Sequence, residues 1–229
     1  MDATTMPSRI QITANGPYVV SGGVTLTERY PAVSVHGEPL EWDPVGAEEP
    51  ERPLRQNYAV CRGGHSAKKP FCDNSHRGVD FEGALPADRQ PSATRRRTFV
   101  GEGVVMSDEP GLCIHAGFCT TRLSKVWSMI DQTDDPEVRA RLRRMGQHCP
   151  TGRLEIAPSA EAPADEPEFT PSVAIIPNGP LWVRGGIPLE APDGFTYEVR
   201  NRVTLCRCGH SQNKPYCDGA HAEIGFTDR

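Results

Sequence analysis

Residues 206–221 read CRCGHSQNKPYCDGAH and place four candidate metal ligands in one short segment. The ligands are three thiols and one imidazole, supplied by Cys206, Cys208, Cys217 and His221. These side chains are the usual ligands of zinc and of iron-sulfur clusters. Small domains without a large apolar core often depend on such a centre for stability, so we expect the metal loop to decide the local fold.

The residues between the ligands are as informative as the ligands themselves. The sequence KPYCD around Cys217 resembles the CDGSH iron-sulfur domain family, also called NEET proteins. Members of this family hold a 2Fe-2S cluster on three cysteines and one histidine at this spacing. The resemblance implies a 2Fe-2S cluster on Cys206, Cys208, Cys217 and His221.

The chain contains this pattern twice. Residues 15–26 (NGPYVVSGGVTL) recur as residues 178–189 (NGPLWVRGGIPL) after 163 positions, and residues 61–76 recur as residues 206–221 after 145 positions. The difference of 18 places an insertion in the first copy, within the proline- and glutamate-rich residues 28–53. Because NEET domains occur in pairs, the resemblance implies two small, mainly β units that form an intramolecular pseudo-dimer.

The first copy lacks one of the four ligands. Cys61, Cys72 and His76 persist, but Gly63 stands where the second copy has a cysteine. Three interpretations are open: a cluster completed by another ligand such as His65, an empty site, or a site for a different metal species. We favour an occupied, atypical cluster, because the sequence around Cys72 is largely retained.

Two further residues of each loop are candidates for binding the cofactor. Asp218, and Asp73 in the first copy, can begin a short helix whose amides face the cluster, or can simply form a turn. Lys214 and Lys69 occupy equivalent places. The resemblance implies that these lysines approach a ligand histidine across the pair of domains, and a solvent-exposed lysine is the alternative.

Residues 95–157, between the two copies, have a different pattern. Cys113 and Cys119, followed by Cys149 before a proline, resemble the ligands of a single-cluster ferredoxin, except that alanine replaces one expected cysteine. Three thiolates fit a 3Fe-4S cluster, or a 4Fe-4S cluster with His115 as the substitute ligand. The segment resembles the divergent 4Fe-4S mono-cluster family, in which a histidine at this place recurs. An ordinary loop histidine remains the alternative for His115.

The apolar pattern predicts short strands and two helices, and therefore the α+β class. Strands are expected at residues 58–60, 97–100, 153–156 and 203–205, and helices at residues 123–130 and 136–145. Asp134 or Asp135 should cap the second helix and Gly146 should end it. The predicted divisions are residues 1–90 for the first unit, 95–157 for the α+β ferredoxin-like domain, 158–171 for a linker and 172–229 for the second unit.

The composition argues against several classes of protein. The 229 residues carry a net charge of −5, which offers no broad basic surface for nucleic acid. No apolar run approaches the ~18 residues of a membrane-spanning helix, and residues 1–20 lack the pattern of a secretion signal. The cysteines cluster with histidines, which favours metal sites over disulfides. We therefore expect a cytoplasmic protein that binds neither membranes nor nucleic acid.

These features predict an iron-sulfur electron carrier that serves redox partner proteins. The alternative is a protein that transfers its cluster to apo-protein acceptors, or that senses redox state or pH, because the imidazole of His221 can gain or lose a proton near neutrality. A structural zinc protein is the third interpretation, since three thiols and one imidazole also suit tetrahedral zinc. We identify no catalytic residues, and a non-catalytic carrier is favoured over an enzyme.

Overall fold

The computed structural model describes residues 7–43 and 56–228. The predicted insertion at residues 28–53 is therefore described only to residue 43, and the rest of it lies outside the described residues. In the described part, short strands alternate with a few short helices, and this mixture confirms the predicted α+β class.

The strands of the first copy are short and alternate between buried and partly exposed residues. Ile10 and Ile12 point into the core from one strand, while Asn15 adopts a φ of 46° in the turn that follows it. The expected strand before the first metal loop is present. The elements are β1 (Arg9–Ile12), β2 (Tyr18–Ser21), β3 (Thr25–Glu28), β4 (Pro31–Val33), β5 (Pro39–Trp42) and β6 (Asn57–Val60).

The middle segment is a three-stranded antiparallel sheet with two helices against it. Its elements are β7 (Arg97–Gly101), β8 (Val104–Asp108), α1 (Val126–Met129), α2 (Pro136–Gln147) and β9 (Leu154–Ala157). The first helix is shorter than expected. The second is capped by the Asp135 side chain, which accepts a hydrogen bond from the Glu137 amide, but the expectation that Gly146 ends it is wrong. Gly146 lies inside α2, where a Cβ would come 2.7 Å from Ile156 Cγ1, so glycine serves close packing on β9.

The second copy repeats the strands of the first, and all four residues of three of its strands are buried. Its elements are β10 (Ser172–Ile175), β11 (Leu181–Arg184), β12 (Leu189–Glu190), β13 (Arg202–Leu205) and α3 (Ala220–Glu223). Burial on both faces of a strand arises when the sheet is covered on each side. The first copy and the middle segment provide that cover.

The two copies exchange one strand each. The first sheet has the order β12-β1-β2-β6 and the second has the order β13-β11-β10-β3. Strand β3 therefore leaves its own copy to pair in parallel with β10, and β12 pairs in parallel with β1. Glycine pairs at residues 22–23 and 185–186 have positive φ and turn the chain before each exchanged strand. Both copies share one apolar core, so neither sheet is complete without the other copy.

The described part of the insertion forms a hairpin that connects all three parts of the chain. Trp42, at the end of β5, lies 4.9 Å from the ring of Phe118 in the middle segment and 4.7 Å from the ring of Trp182 in β11. The Trp42 Nε1 group also donates a hydrogen bond of 2.9 Å to the carbonyl of His148. The hairpin thus anchors the first copy beside the chain segment that carries Cys149.

Within residues 7–43 and 56–228, no helix combines the length and the apolar character needed to cross a membrane.

Candidate metal centres

The second metal loop begins where β13 ends. The Cys206 amide donates to the Pro215 carbonyl at 2.8 Å, and the Cys217 amide donates to the Thr204 carbonyl at 2.9 Å. These two bonds close the loop and bring Cys217 back beside the start of the loop. Helix α3 then places His221 one turn further on, with its Nδ1 atom 3.3 Å from the Cys217 sulfur. The loop therefore turns a local sequence pattern into a compact group of ligands.

Hydrogen bonding and burial shift the pKa values of the three thiols in the second metal loop. The Cys206 and Cys208 sulfurs lie 3.8 Å apart, and hydrogen bonding between them lowers the pKa of Cys206 and raises that of Cys208. Burial raises the pKa of Cys217 to about 12. Metal binding must therefore displace protons from this loop, as thiolate ligation requires.

Several amides of the second loop point at the sulfurs. The amides of Gly209 and Ser211 face Cys206, while those of Asp218 and Gly219 face Cys217. Amide donors to sulfur stabilise anionic iron-sulfur clusters and tune their potentials. Burial also lowers the pKa of His221, which favours the neutral imidazole that a metal needs. The donor set and its surroundings thus fit an iron-sulfur cluster.

A buried arginine fixes each metal loop to its own copy. Arg207 donates to the carbonyls of Gly179 at 2.9 Å and Ile176 at 3.0 Å, and it pairs with Asp228. Arg62, its equivalent in the first copy, makes corresponding bonds to three backbone carbonyls. The sequence interpretation missed both arginines. Each directly follows the first cysteine of its metal loop, and this repetition after 145 positions was the signal that could have identified them.

The first metal loop has the same backbone closure as the second. The Cys61 amide donates to the Pro70 carbonyl at 2.8 Å, and the Cys72 sulfur lies 3.5 Å from His76 Nδ1. Cys61, His65, Cys72 and His76 line one pocket. Cys72 and His76 are only half-buried and His65 is exposed, so this site is more open than the second. The structure brings the predicted candidates together, and their ligand roles stay predictions.

Phe81 takes up the space of the missing ligand in the first copy. A Cβ built on Gly63 would lie 2.9 Å from Cδ2 of the Phe81 ring. The guanidinium of Arg62 lies 5.1 Å from the centre of the same ring and packs against it. A side chain at position 63 therefore cannot enter the site unless this ring moves.

We expect Gly63→Cys alone to leave the first site without a fourth thiolate, because the Phe81 ring blocks the new side chain. The double variant Gly63→Cys/Phe81→Ala opens that space and should give the first site a visible circular dichroism spectrum like that of the second. The measurement is made in a Cys217→Ser background, which removes the second centre from the spectrum. Phe81→Ala alone is the control, and the same gain without the new cysteine would contradict this account.

The aspartates after Cys72 and Cys217 brace their loops. Asp218 accepts hydrogen bonds from the amides of Gln212 at 2.7 Å and Ala220 at 3.0 Å. Asp73 accepts the equivalent bonds from Ala67 at 2.8 Å and Ser75 at 2.9 Å. Both carboxylates thus tie the two ends of a metal loop together. Hydrogen bonds from Ser75 hold the pKa of Asp73 well below its usual range.

The two lysines behave differently, although they are equivalent in sequence. The Lys69 ammonium lies 5.8 Å from the centre of the Phe226 ring, which belongs to the second copy. Lys214 instead donates to the carbonyls of Gly209 and Ser211 in its own loop, at 3.2 Å and 2.9 Å. Of the two, Lys69 is the lysine that reaches across the pair of copies.

The middle segment gathers its candidate ligands around one pocket, which is lined by Cys113, His115, Cys119 and Cys149. His115 has a φ of 59°, and its side chain is exposed at the edge of this pocket. Arg153 places a cation beside Cys113, and hydrogen bonds to Asp108 raise the pKa of this arginine. A fixed cation beside three thiols suits an anionic cluster.

Burial raises the pKa of the Cys119 thiol. Its sulfur lies 3.8 Å from the Thr120 hydroxyl, and that of Cys149 lies 3.4 Å from the Thr151 hydroxyl. The donor set therefore fits an iron-sulfur cluster here too, with hydroxyl groups near two of the sulfurs. Among residues 7–43 and 56–228, no three His, Cys, Asp or Glu side chains are grouped closely enough to hold a single metal ion.

Two protein-family models match the chain. The model described as an iron-binding zinc finger of the CDGSH type matches residues 15–77 and 178–222, and the model described as a divergent 4Fe-4S mono-cluster matches residues 99–159. The predicted tandem with an inserted domain is thereby confirmed. No curated protein matches the chain.

Proposed function

We propose that this chain, which carries two CDGSH-type segments around a divergent 4Fe-4S mono-cluster domain, is an electron carrier with three unequal centres. The observation that carries the proposal is the second metal loop. There, amides converge on a thiol pair 3.8 Å apart, and a third thiol lies 3.3 Å from a ligand-type histidine. Cys206, Cys208, Cys217 and His221 would hold a 2Fe-2S cluster at this loop.

The residues of the site explain why it suits electron transfer. A 2Fe-2S cluster supplies one-electron chemistry, and exchanging one thiolate for an imidazole raises its potential above that of an all-cysteine cluster. The chain's own part is to exclude water and fix the charge around the sulfurs. Cys206, Cys208 and Cys217 are buried, and Arg207 and Asp218 hold the loop rigid. No catalytic role is assigned to any of these residues.

The middle segment would hold a 4Fe-4S cluster on Cys113, Cys119 and Cys149. His115 lines the same pocket and is the candidate for the fourth ligand, while a 3Fe-4S cluster would need no fourth ligand. The first copy would hold an atypical cluster on Cys61, Cys72 and His76. The physiological partners would be redox proteins in the cytoplasm.

The strand exchange supports the intramolecular pseudo-dimer. Each sheet borrows one strand from the other copy, and a single core lies beneath both. The metal loops also touch, since Gly63 and Cys208 form a β-bridge. Tyr18 of the first copy donates to the Cys206 carbonyl at 3.0 Å. Two sheets that complete each other in this way act as one unit, as paired NEET domains do.

The experiment that tests the proposal is a metal and sulfide analysis of anaerobically purified protein, with electron paramagnetic resonance before and after reduction. We expect a coloured protein whose acid-labile sulfide accompanies its iron, and a reduced 2Fe-2S signal that disappears reversibly on reoxidation. A colourless protein that contains zinc and no sulfide would refute the proposal in favour of the structural zinc protein.

The open first site favours cluster transfer as a second candidate function. Cys72 is half-buried, whereas the equivalent Cys217 is 2% exposed, and the histidines of both sites are half-buried. A cluster at the more exposed site would be the easier one to release to an apo-protein acceptor. Mixing with an apo-ferredoxin distinguishes the two functions. Migration of iron and sulfide within minutes supports transfer, and retained clusters with reversible reduction support the electron carrier.

A further inference from the structure

The second metal loop lies directly against the middle segment. A Cβ built on Gly219, between Cys217 and the ligand histidine, would come 3.0 Å from Cδ2 of His115 and 3.5 Å from the Ile114 carbonyl oxygen. On the same side, the Asn213 side chain donates a 2.9 Å hydrogen bond to the Gly111 carbonyl. The chain around Cys113 and the chain around Cys217 are therefore in contact.

The other ligand region of the middle segment is held by the same copy. Arg202, in β13, donates to the carbonyls of Gly146, Gln147 and Cys149. Arg200 donates to the Gly152 carbonyl at 2.7 Å. Both regions that carry candidate ligands of the middle centre are thus fixed to the strand and loop that carry the second centre.

The first metal loop provides a comparison, because its position equivalent to Gly219 does not pack against His115 of the middle segment. Asn74 occupies the position equivalent to Gly219, with a φ of 71° against 97° for the glycine. Asparagine is one of the few residues that adopt this left-handed conformation readily. Asn74 is exposed, whereas Gly219 is buried under His115. Contact with the middle segment, rather than the backbone conformation alone, therefore accounts for glycine in the second copy.

We propose that the middle centre and the second CDGSH centre form a coupled pair joined at the contact of His115 with Gly219. The inference rests on the proposed function, because it requires clusters at both sites. His115, the candidate fourth ligand of the middle centre, packs on Gly219, which acts as a positioning residue that fixes the separation of the two centres. Two redox groups held across one side-chain contact can exchange an electron directly, one being oxidised as the other is reduced.

The test is Gly219→Asn, with Asn74→Gly as the matched control in the other copy. Asparagine is accommodated in the left-handed turn at the equivalent Asn74, and at position 219 its Cβ would lie 3.0 Å from His115 Cδ2 and should push this ring away from the loop. The readout is electron paramagnetic resonance of the fully reduced protein, together with iron and sulfide content. The parent protein should show a magnetic splitting between two reduced clusters. Gly219→Asn should narrow or abolish the splitting at unchanged iron content, and Asn74→Gly should leave it intact.

The possible failures are distinguishable. Clusters present at both sites without splitting in the parent protein, or a splitting that survives Gly219→Asn, would overturn the coupled pair and leave the proposed function standing. A protein without clusters would overturn both. If Gly219→Asn loses iron, Asn213→Ala replaces it, since this change removes a hydrogen bond to the middle segment without touching a candidate ligand. An unchanged splitting width and unchanged potentials in that variant would then count against the proposal.

Discussion

Replacing Cys217 with serine should abolish the second centre and remove the two irons and two sulfides of the 2Fe-2S cluster proposed there. The physical reason is that a serine hydroxyl is not deprotonated near neutrality and is a poor ligand for iron compared with a thiolate. The hydroxyl would also be buried in the position of a thiol that is 2% exposed. The folded state should be destabilised as well, because binding free energy at such a site contributes to folding.

The measurement is iron and sulfide content per chain, together with the visible circular dichroism and the reduced electron paramagnetic resonance spectrum. Cys72→Ser is the matched control, since it makes the same chemical change at the equivalent place in the first copy. It should leave the second centre's spectrum intact. A Cys217→Ser protein that retains this spectrum would show that the proposed ligand set is wrong.

Replacing Arg202 with methionine should be the most destabilising change outside the metal loops. The side chain is 2% exposed, pairs with Glu166 at 2.7 Å and donates to the carbonyls at the end of α2 and to that of Leu154. Removing one partner of such a network leaves a partly buried carboxylate and several carbonyls without their donor. We expect a loss of about 3–5 kcal/mol in the free energy of unfolding.

Urea unfolding of the cluster-loaded protein, followed by tryptophan fluorescence, measures this loss. Arg89→Met is the control. Arg89 also pairs with a carboxylate, that of Asp193, but both side chains are exposed, and such pairs contribute only about 0–1 kcal/mol. Arg202→Lys should fall between the two variants, because lysine keeps the charge and loses the forked donor. Equal urea midpoints for Arg202→Met and Arg89→Met would contradict the stabilising role of the hydrogen bonds that Arg202 donates to the Cys149 segment.

The sequence predicted best what depends on neighbouring residues. The start of α2 at Pro136 follows from a local capping pattern and is found where it was expected. The same holds for the strands before the two metal loops, because turn residues and apolar residues mark them within a few positions.

Contacts between distant residues could not be predicted in this way. Gly146 resembles a helix stop in the sequence, and only the approach of Ile156 shows that it serves packing instead. Arg202 cannot be told from a solvent-exposed arginine until the carbonyls around it are known. The predicted linker at residues 158–171 also makes a long-range contact, because its Glu166 forms an ion pair with Arg202. The exchange of β3 and β12 depends on residues far apart in the chain, which no local pattern encodes.

The exchanged strands also constrain how the protein is made. The first copy is synthesised first, yet its sheet needs β12, and β3 must wait for β10 before it has a partner. The exchanged pairings join Thr25 to Ser172 and Ile10 to Leu189, which lie 147 and 179 residues apart in the chain, so they are late events in folding. The middle segment, by contrast, closes its sheet with its own strands. The sheet of the middle segment can therefore form during synthesis while the first CDGSH-type segment still lacks its partner strands, whereas the chain around Cys149 gains its contacts with Arg202 only after the second copy has been made.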